Sequence, residues 1–133
     1  MFIVGIGTDI IEIDRIVGMP DNTRERLAVR VLTPDEYQHY VVLKAKAEHN
    51  AVRYLAKRWA GKEATSKALG TGIAAGVSFQ HIEIKNLKSG QPTLTLSGKA
   101  LALAQAQKAN QWHISLADER RYATAFVTLS KAD

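Results

Sequence analysis

The stretch Arg58-Trp59-Ala60-Gly61-Lys62-Glu63-Ala64, RWAGKEA, decides how the rest of the chain is read. It lies in a run of helical periodicity over residues 48–69. On a wheel of about 100° per residue, Val52, Leu55, Ala56 and Trp59 form one apolar stripe. Glu63 falls on that stripe, four residues after Trp59 and seven after Ala56, which turns a carboxylate towards the interior. A buried, unpaired carboxylate is too costly to keep, so Glu63 needs a proton, a cation or hydrogen-bond donors. The helix is expected to stop at Gly70, a residue suited to the left-handed capping position, with Thr71-Gly72 following.

Upstream, residues 2–11 are dominated by Phe, Ile, Val and Gly and read as a buried strand. Alternation puts Phe2, Val4, Ile6, Thr8 and Ile10 on one face and Ile3, Gly5, Gly7, Asp9 and Ile11 on the other. The second face is hollow before Asp9, because two glycines leave room for another backbone or a ligand. Between strand and long helix, the pattern predicts a short helix near Glu12–Val17, a turn at residues 19–22 and a helix over Thr23–Val31. A further helix starts at Thr33-Pro34-Asp35-Glu36, a capping-box signature, and runs to about Leu43.

Downstream, residues 81–87 and 93–96 alternate and are joined by Lys88-Ser89-Gly90-Gln91-Pro92, the pattern of a hairpin. An Ala-rich helix over 100–108 precedes strands at 112–116 and 122–129, with a turn at Asp118-Glu119-Arg120-Arg121. Helices and hairpins segregate along the chain, so the expected class is α+β with a small antiparallel sheet packed on one long helix and shorter helices.

The 133 residues, 46% hydrophobic and 23% charged, suit one domain over 1–133, small enough to gain from oligomerisation. The absence of cysteine excludes disulfides, thiolate metal sites and a cysteine nucleophile. The N-terminus lacks a basic leader pattern, and Asp9 interrupts its apolar run, so a cytoplasmic protein without a membrane segment is expected. A formal charge of +5 favours anionic partners: nucleic acid, phosphorylated metabolites or acidic proteins. A basic nucleic-acid module is the rival reading, but the strands carry no exposed aromatic stacking pattern, and a purely structural trimer is a third.

Asp9 and Glu63 are the two acids set among apolar neighbours on ordered elements. Ordinary roles exist for both: an N-cap on the following helix for Asp9, and an ion pair with Lys62 or Lys67 for Glu63. The alternative satisfies both at once, a shared hard cation such as Mg²⁺ that takes carboxylates, waters and phosphate oxygens. Lys57, Arg58, Lys62 and Lys67, followed by the Gly70-Thr71-Gly72 loop with its N–H groups, suit a polyphosphate, although a solvated basic face is also common. Gly5-x-Gly7 is no dinucleotide fingerprint, since Ile10 stands where the third glycine would be. His113 and Ser115 share the face of their strand opposite Trp112, Ile114 and Leu116 and read as polar and outward.

Gly5-Ile6-Gly7-Thr8-Asp9-Ile10-Ile11-Glu12-Ile13 with Arg15, and Arg53 through Glu63-Ala64 to Lys67-Ala68-Leu69-Gly70-Thr71-Gly72, resemble the holo-acyl-carrier-protein synthases over nearly the whole chain. The resemblance implies a phosphopantetheinyl transferase domain. Coenzyme A donates 4′-phosphopantetheine to a serine of apo-acyl carrier protein, adenosine 3′,5′-bisphosphate is released, and the reaction supports fatty acid biosynthesis. It implies that Asp9 and Glu63 hold Mg²⁺, that Lys67 lies near the diphosphate as a third catalytic residue, and that Arg53, Gly70, Thr71, Gly72 and Ser115 help hold coenzyme A. Arg15, Arg24, Arg26 and Arg30 are expected to meet the acidic carrier, and the subunits to form a homotrimer with sites between them. Two departures stand out: Ser115-Leu116-Ala117-Asp118 replaces a frequent Ser-x-x-His, and Trp59 replaces a frequent Phe.

Overall fold

A computed structural model describes residues 1–133. Its elements are β1 (Phe2–Glu12), α1 (Asp14–Val17), α2 (Asp21–Val31), α3 (Pro34–Lys46), α4 (Glu48–Ala68), β2 (Ile82–Asn86), β3 (Pro92–Leu96), α5 (Gly98–Ala106), β4 (Gln111–Asp118) and β5 (Tyr122–Lys131), with one 3₁₀ turn at Phe79–His81. The class is α+β. One antiparallel sheet has the order β1-β5-β4, and β2 and β3 pair separately as the expected hairpin.

Each boundary answers to local chemistry. Thr33 caps α3 by accepting from the Glu36 backbone N–H at 3.4 Å, while a Glu36 carboxylate oxygen accepts from the Thr33 N–H at 2.8 Å. The C-terminus of α4 closes where Gly70 takes φ +89°, a conformation available to glycine at little cost. The helix expected from Thr23 begins two residues earlier, at Asp21, directly after Pro20, whose extended backbone opens the turn.

The glycine-lined face of β1 meets a backbone, not a ligand. A Cβ on Gly7 would stand 1.8 Å from the Ala64 carbonyl oxygen, and one on Gly5 would stand 2.1 Å from that of Ala68. Ala60, Ala64 and Ala68, spaced four residues apart, supply the small side chains on the helix side of the contact, and all three are buried. Strand and helix therefore pack at near-backbone distance. One core cluster lies on the sheet and hairpin side of α4, with Ile82, Ile84, Ile114, Val127 and Leu129; a second lies against α2 and α3, with Ile16, Val31, Tyr40 and Leu55. The helix carrying RWAGKEA is the wall shared by both. No helix is long and apolar enough to cross a membrane.

Candidate functional site

Close packing of α4 on β1 brings together side chains 54 and 58 residues apart in sequence. Asp9 lies in the middle of β1, paired with Ala125 of β5, and points to the side occupied by α4. Lys67 Nζ donates to Asp9 Oδ1 at 3.0 Å and to the Thr8 carbonyl oxygen at 3.1 Å. Glu63, one turn earlier on α4, is half-buried and forms no ion pair. Burial pushes the Glu63 carboxyl above its ordinary range, and the negative charge of Asp9 adds to the rise; Lys67, the Trp59 indole and Arg30 oppose it.

Neither ordinary role holds. The residue capping α1 is Ile13, and no side chain caps that helix, so Asp9 is not an N-cap. Lys67 bonds Asp9, while Lys62 turns to Glu36. Lys67 pairs with Asp9, both charges act on the Glu63 carboxyl, and Glu63 itself forms no ion pair.

Much of the expected basic face lies elsewhere. Lys62 is fully buried; its Nζ bonds Glu36 Oε1 at 2.5 Å, the Val31 carbonyl at 2.7 Å and the Phe79 carbonyl at 3.2 Å. Burial lowers the Lys62 ammonium from its ordinary range, with the Glu36 charge opposing the change. Glu36 also accepts from the Ile84 N–H at 2.8 Å, so the pair ties α2, α3, α4, the 3₁₀ turn and β2 together. The signal was present in the sequence: Lys62 stands seven residues after Leu55 and falls on the same buried stripe. Arg58 is buried as well, bonded to the Ile84 carbonyl and to Asn86 and lying over the Tyr54 ring. Lys62 is therefore not free to meet a polyphosphate, whereas Arg58 lines a cavity with His39, Tyr54, Lys85 and Asn86 and its Nε has no hydrogen-bond partner.

Arg53 and Lys57 remain at the surface, joined to Asp118 at 2.7 Å and 3.1 Å. The Gly70-Thr71-Gly72 loop does not offer free N–H groups: Gly70 N donates to Lys67 O, and Thr71 N and Gly72 N both donate to Ser66 O, closing the helix end. Ser115 lies on the sheet face opposite Asp9, exposed beside His113 and paired with Phe126, as the alternation required.

Of the four arginines expected to meet the carrier, Arg24 is not on the surface. It is 8% exposed, spends its guanidinium on the Ile16, Val17 and Met19 carbonyls and pairs with Glu48. It fastens α1 to α2. Arg15 lies over the Trp59 ring, 5.4 Å from its centroid, and Trp59 is one turn from Glu63. Arg26 and Arg30 are exposed on α2, and Arg30 is close enough for its charge to act on Glu63.

Two carboxylates with one ammonium, flanked by exposed arginines, form an acid pair suited to a divalent ion and a phosphate-bearing ligand. The comparisons with known proteins identify the family. The family model "4'-phosphopantetheinyl transferase superfamily" matches residues 5–127. A holo-[acyl-carrier-protein] synthase of Yersinia pestis is 48% identical over 129 residues, covering 97% of this chain and 98% of the relative. Among solved structures, the synthase of Neisseria meningitidis is similar at 38% identity and TM-score 0.81, covering 98% of this chain and 100% of that one. The synthase of Bacillus anthracis in complex with CoA (3',5'-ADP) is similar at 35% identity and TM-score 0.79, covering 99% and 100%. With its strand, long helix and hairpins matched from end to end, the chain belongs to the 4′-phosphopantetheinyl transferase superfamily, among the holo-[acyl-carrier-protein] synthases.

Proposed function

We propose that this protein transfers 4′-phosphopantetheine from coenzyme A to a serine of apo-acyl carrier protein, releasing adenosine 3′,5′-bisphosphate, as a Mg²⁺-dependent step that supports fatty acid biosynthesis in the cytoplasm. The observation that carries the reading is that Asp9 of β1 pairs with Lys67 of α4 close enough for both charges to act on the half-buried Glu63. Coenzyme A appears in the complex of the Bacillus anthracis relative and supports the same donor here.

The acid pair fits a hard divalent ion. Glu63 has no cation partner, and Asp9 raises its pKa, so a divalent charge between them would relieve both burial and repulsion. Two carboxylates are the usual protein share for Mg²⁺, which leaves the other positions to water and phosphate oxygens. When bound, the ion supplies neutralisation of charge on the diphosphate.

In the reaction, the serine hydroxyl oxygen bonds to the β-phosphorus of coenzyme A. The bond from that phosphorus to the bridging oxygen breaks, and the bridging oxygen departs on the 5′-phosphate of adenosine 3′,5′-bisphosphate. Lys67, already fixed to Asp9 and the Thr8 carbonyl, holds its ammonium where charge gathers on the departing oxygen. The serine proton passes to solvent or to a carboxylate of the pair. Arg15 and Arg30 present positive charge beside the centre, Arg26 is exposed four residues before Arg30 on α2, and the three suit an acidic carrier surface.

A homotrimer fits the outer face of the β1-β5-β4 sheet. Ile6, Ile10 and Phe126 are 59%, 60% and 47% exposed on that face, an apolar surface that association would cover. Incubation with apo-carrier, coenzyme A and Mg²⁺ should add the mass of one phosphopantetheine to the carrier. Asp9→Asn and Glu63→Gln should each abolish the gain while keeping the wild-type circular dichroism; near-normal transfer by either variant removes the assignment.

A further inference from the structure

The C-terminus of α2 is left short of hydrogen-bond donors by its own sequence. Leu32 turns to extended backbone directly after Val31, and its N–H closes the last helical bond, to the Ala28 carbonyl. The carbonyls of Val29, Arg30 and Val31 come next, and a continuing helix would supply them from Thr33, Pro34 and Asp35. Thr33 spends its N–H on Glu36, Pro34 has none, and no glycine follows to fold the chain back over the helix end.

Two side chains from outside the helix fill the gap. The Gln80 side-chain amide donates to the Leu32 carbonyl at 2.7 Å, to that of Arg30 at 3.2 Å and, at the longest of the three, to that of Val29 at 3.4 Å. Lys62 Nζ donates to the Val31 carbonyl at 2.7 Å and brings positive charge to the negative end of the helix dipole. The 3₁₀ turn that carries Gln80 is itself fixed. The Gln80 N–H donates to Ser78 Oγ at 3.1 Å, the Ser78 N–H donates to His81 Nδ1 at 3.2 Å, and the Phe79 carbonyl accepts from Lys62 Nζ at 3.2 Å.

The same turn holds the side chain of Arg30. Its guanidinium lies over the buried Phe79 ring, 5.5 Å from the centroid, in a cation–π contact. Consecutive residues of one turn therefore grip Arg30 twice, Gln80 at its backbone carbonyl and Phe79 at its guanidinium. An exposed arginine left alone samples many rotamers, and ordering it is a cost that falls on the binding step.

We propose that Gln80 is a positioning residue for carrier binding: with Phe79 and Lys62 it fixes the last turn of α2 so that Arg30 meets the acidic carrier in one orientation. This rests on the carrier reading given above. Gln80 acts through Arg30, by ordering a cation before its partner arrives. Gln80 and Arg30 line the same open cavity, so a direct contact between Gln80 and the carrier is the rival role that the test must separate.

Gln80→Met keeps the length of the side chain and removes both donors without changing charge. At saturating coenzyme A and Mg²⁺, Arg30→Ala should lower kcat/KM for the apo-carrier about fivefold, the scale of one surface charge pair. Gln80→Met should lower it about threefold, the scale of one side chain left to be ordered on binding. The double variant Arg30→Ala/Gln80→Met should lose no more than Arg30→Ala alone, because a residue that works through Arg30 then has nothing to position. Gln80→Met should also flatten the salt dependence of kcat/KM towards that of Arg30→Ala, and leave KM for coenzyme A as in wild type.

A double variant that loses the product of the two single effects, about fifteenfold, overturns the positioning role and makes Gln80 an independent contact. Gln80→Met with wild-type kcat/KM beside an impaired Arg30→Ala overturns it as well. So does an equal rise in KM for coenzyme A, the mark of general loosening. Gln80 is exposed, so the variant should stay folded, and circular dichroism melts check each protein against the assay temperature. Unchanged kcat/KM for the carrier in Arg30→Ala overturns the carrier reading beneath the proposal, a result distinct from every failure of Gln80 alone.

Discussion

Gly7→Ala probes the contact that assembles the centre. The added Cβ would lie 1.8 Å from the Ala64 carbonyl oxygen and 2.8 Å from the Ala68 backbone nitrogen. Carbon and carbonyl oxygen ordinarily approach no closer than about 3.3 Å, so α4 must retreat from β1 by roughly 1.5 Å. The opposing atoms are backbone, and no rotamer change relieves the clash. Overpacking of this kind costs about 3 kcal/mol, the upper end of its range, which for a chain of 133 residues lowers Tm by roughly 10–15 °C. The same retreat pulls Lys67 from Asp9, now 3.0 Å apart, and a misplacement of that size costs on the order of 100-fold in transfer. Thermal unfolding followed by circular dichroism and the carrier mass-gain assay measure the two effects. Gly90→Ala serves as the control: its φ is +92° but nothing lies near its Cβ, so it should cost about 1 kcal/mol and leave transfer unchanged. Gly7→Ala protein with wild-type Tm and activity would refute the claim that strand–helix contact builds the centre.

Three further outcomes follow from the structure. Lys62→Met and Glu36→Gln should each destabilise by about 3–5 kcal/mol, because each strands a buried polar partner; urea unfolding of the Lys62→Met/Glu36→Gln pair should show a combined loss well below the sum of the two. Arg26→Glu should raise KM for the carrier several-fold at low salt with kcat unchanged, and the difference should shrink as salt rises. For Asp118, burial alone would raise its pKa, but hydrogen bonds from Lys57 and Arg53 outweigh burial and hold it below the ordinary value. Its stabilisation is therefore present above the unfolded pKa near 3.8 and lost as pH falls through the lower folded value. Acid titration of stability should be shallower for Asp118→Asn below about pH 4 than for wild type.

Sequence by itself determined the order of elements, the α+β class and the two unusual acids. Periodicity, capping residues and turn glycines act over a few neighbours, and local patterns of this kind survive in a linear reading. The hollow face of β1 was also legible, since Gly5 and Gly7 have no side chain in any fold. The fates of the charges were not. Lys62 and Lys67 are both lysines beside Glu63, yet one is buried against Glu36 and the other reaches Asp9. Arg24 resembles Arg26 in sequence, but three carbonyls of the α1 region claim it. The loop at Gly70 has the composition of an anion cradle, whereas its N–H groups close the end of α4. A long charged side chain takes whichever partner the packed backbone brings within about 3 Å. That choice is made between segments tens of residues apart, so only the tertiary structure decides it.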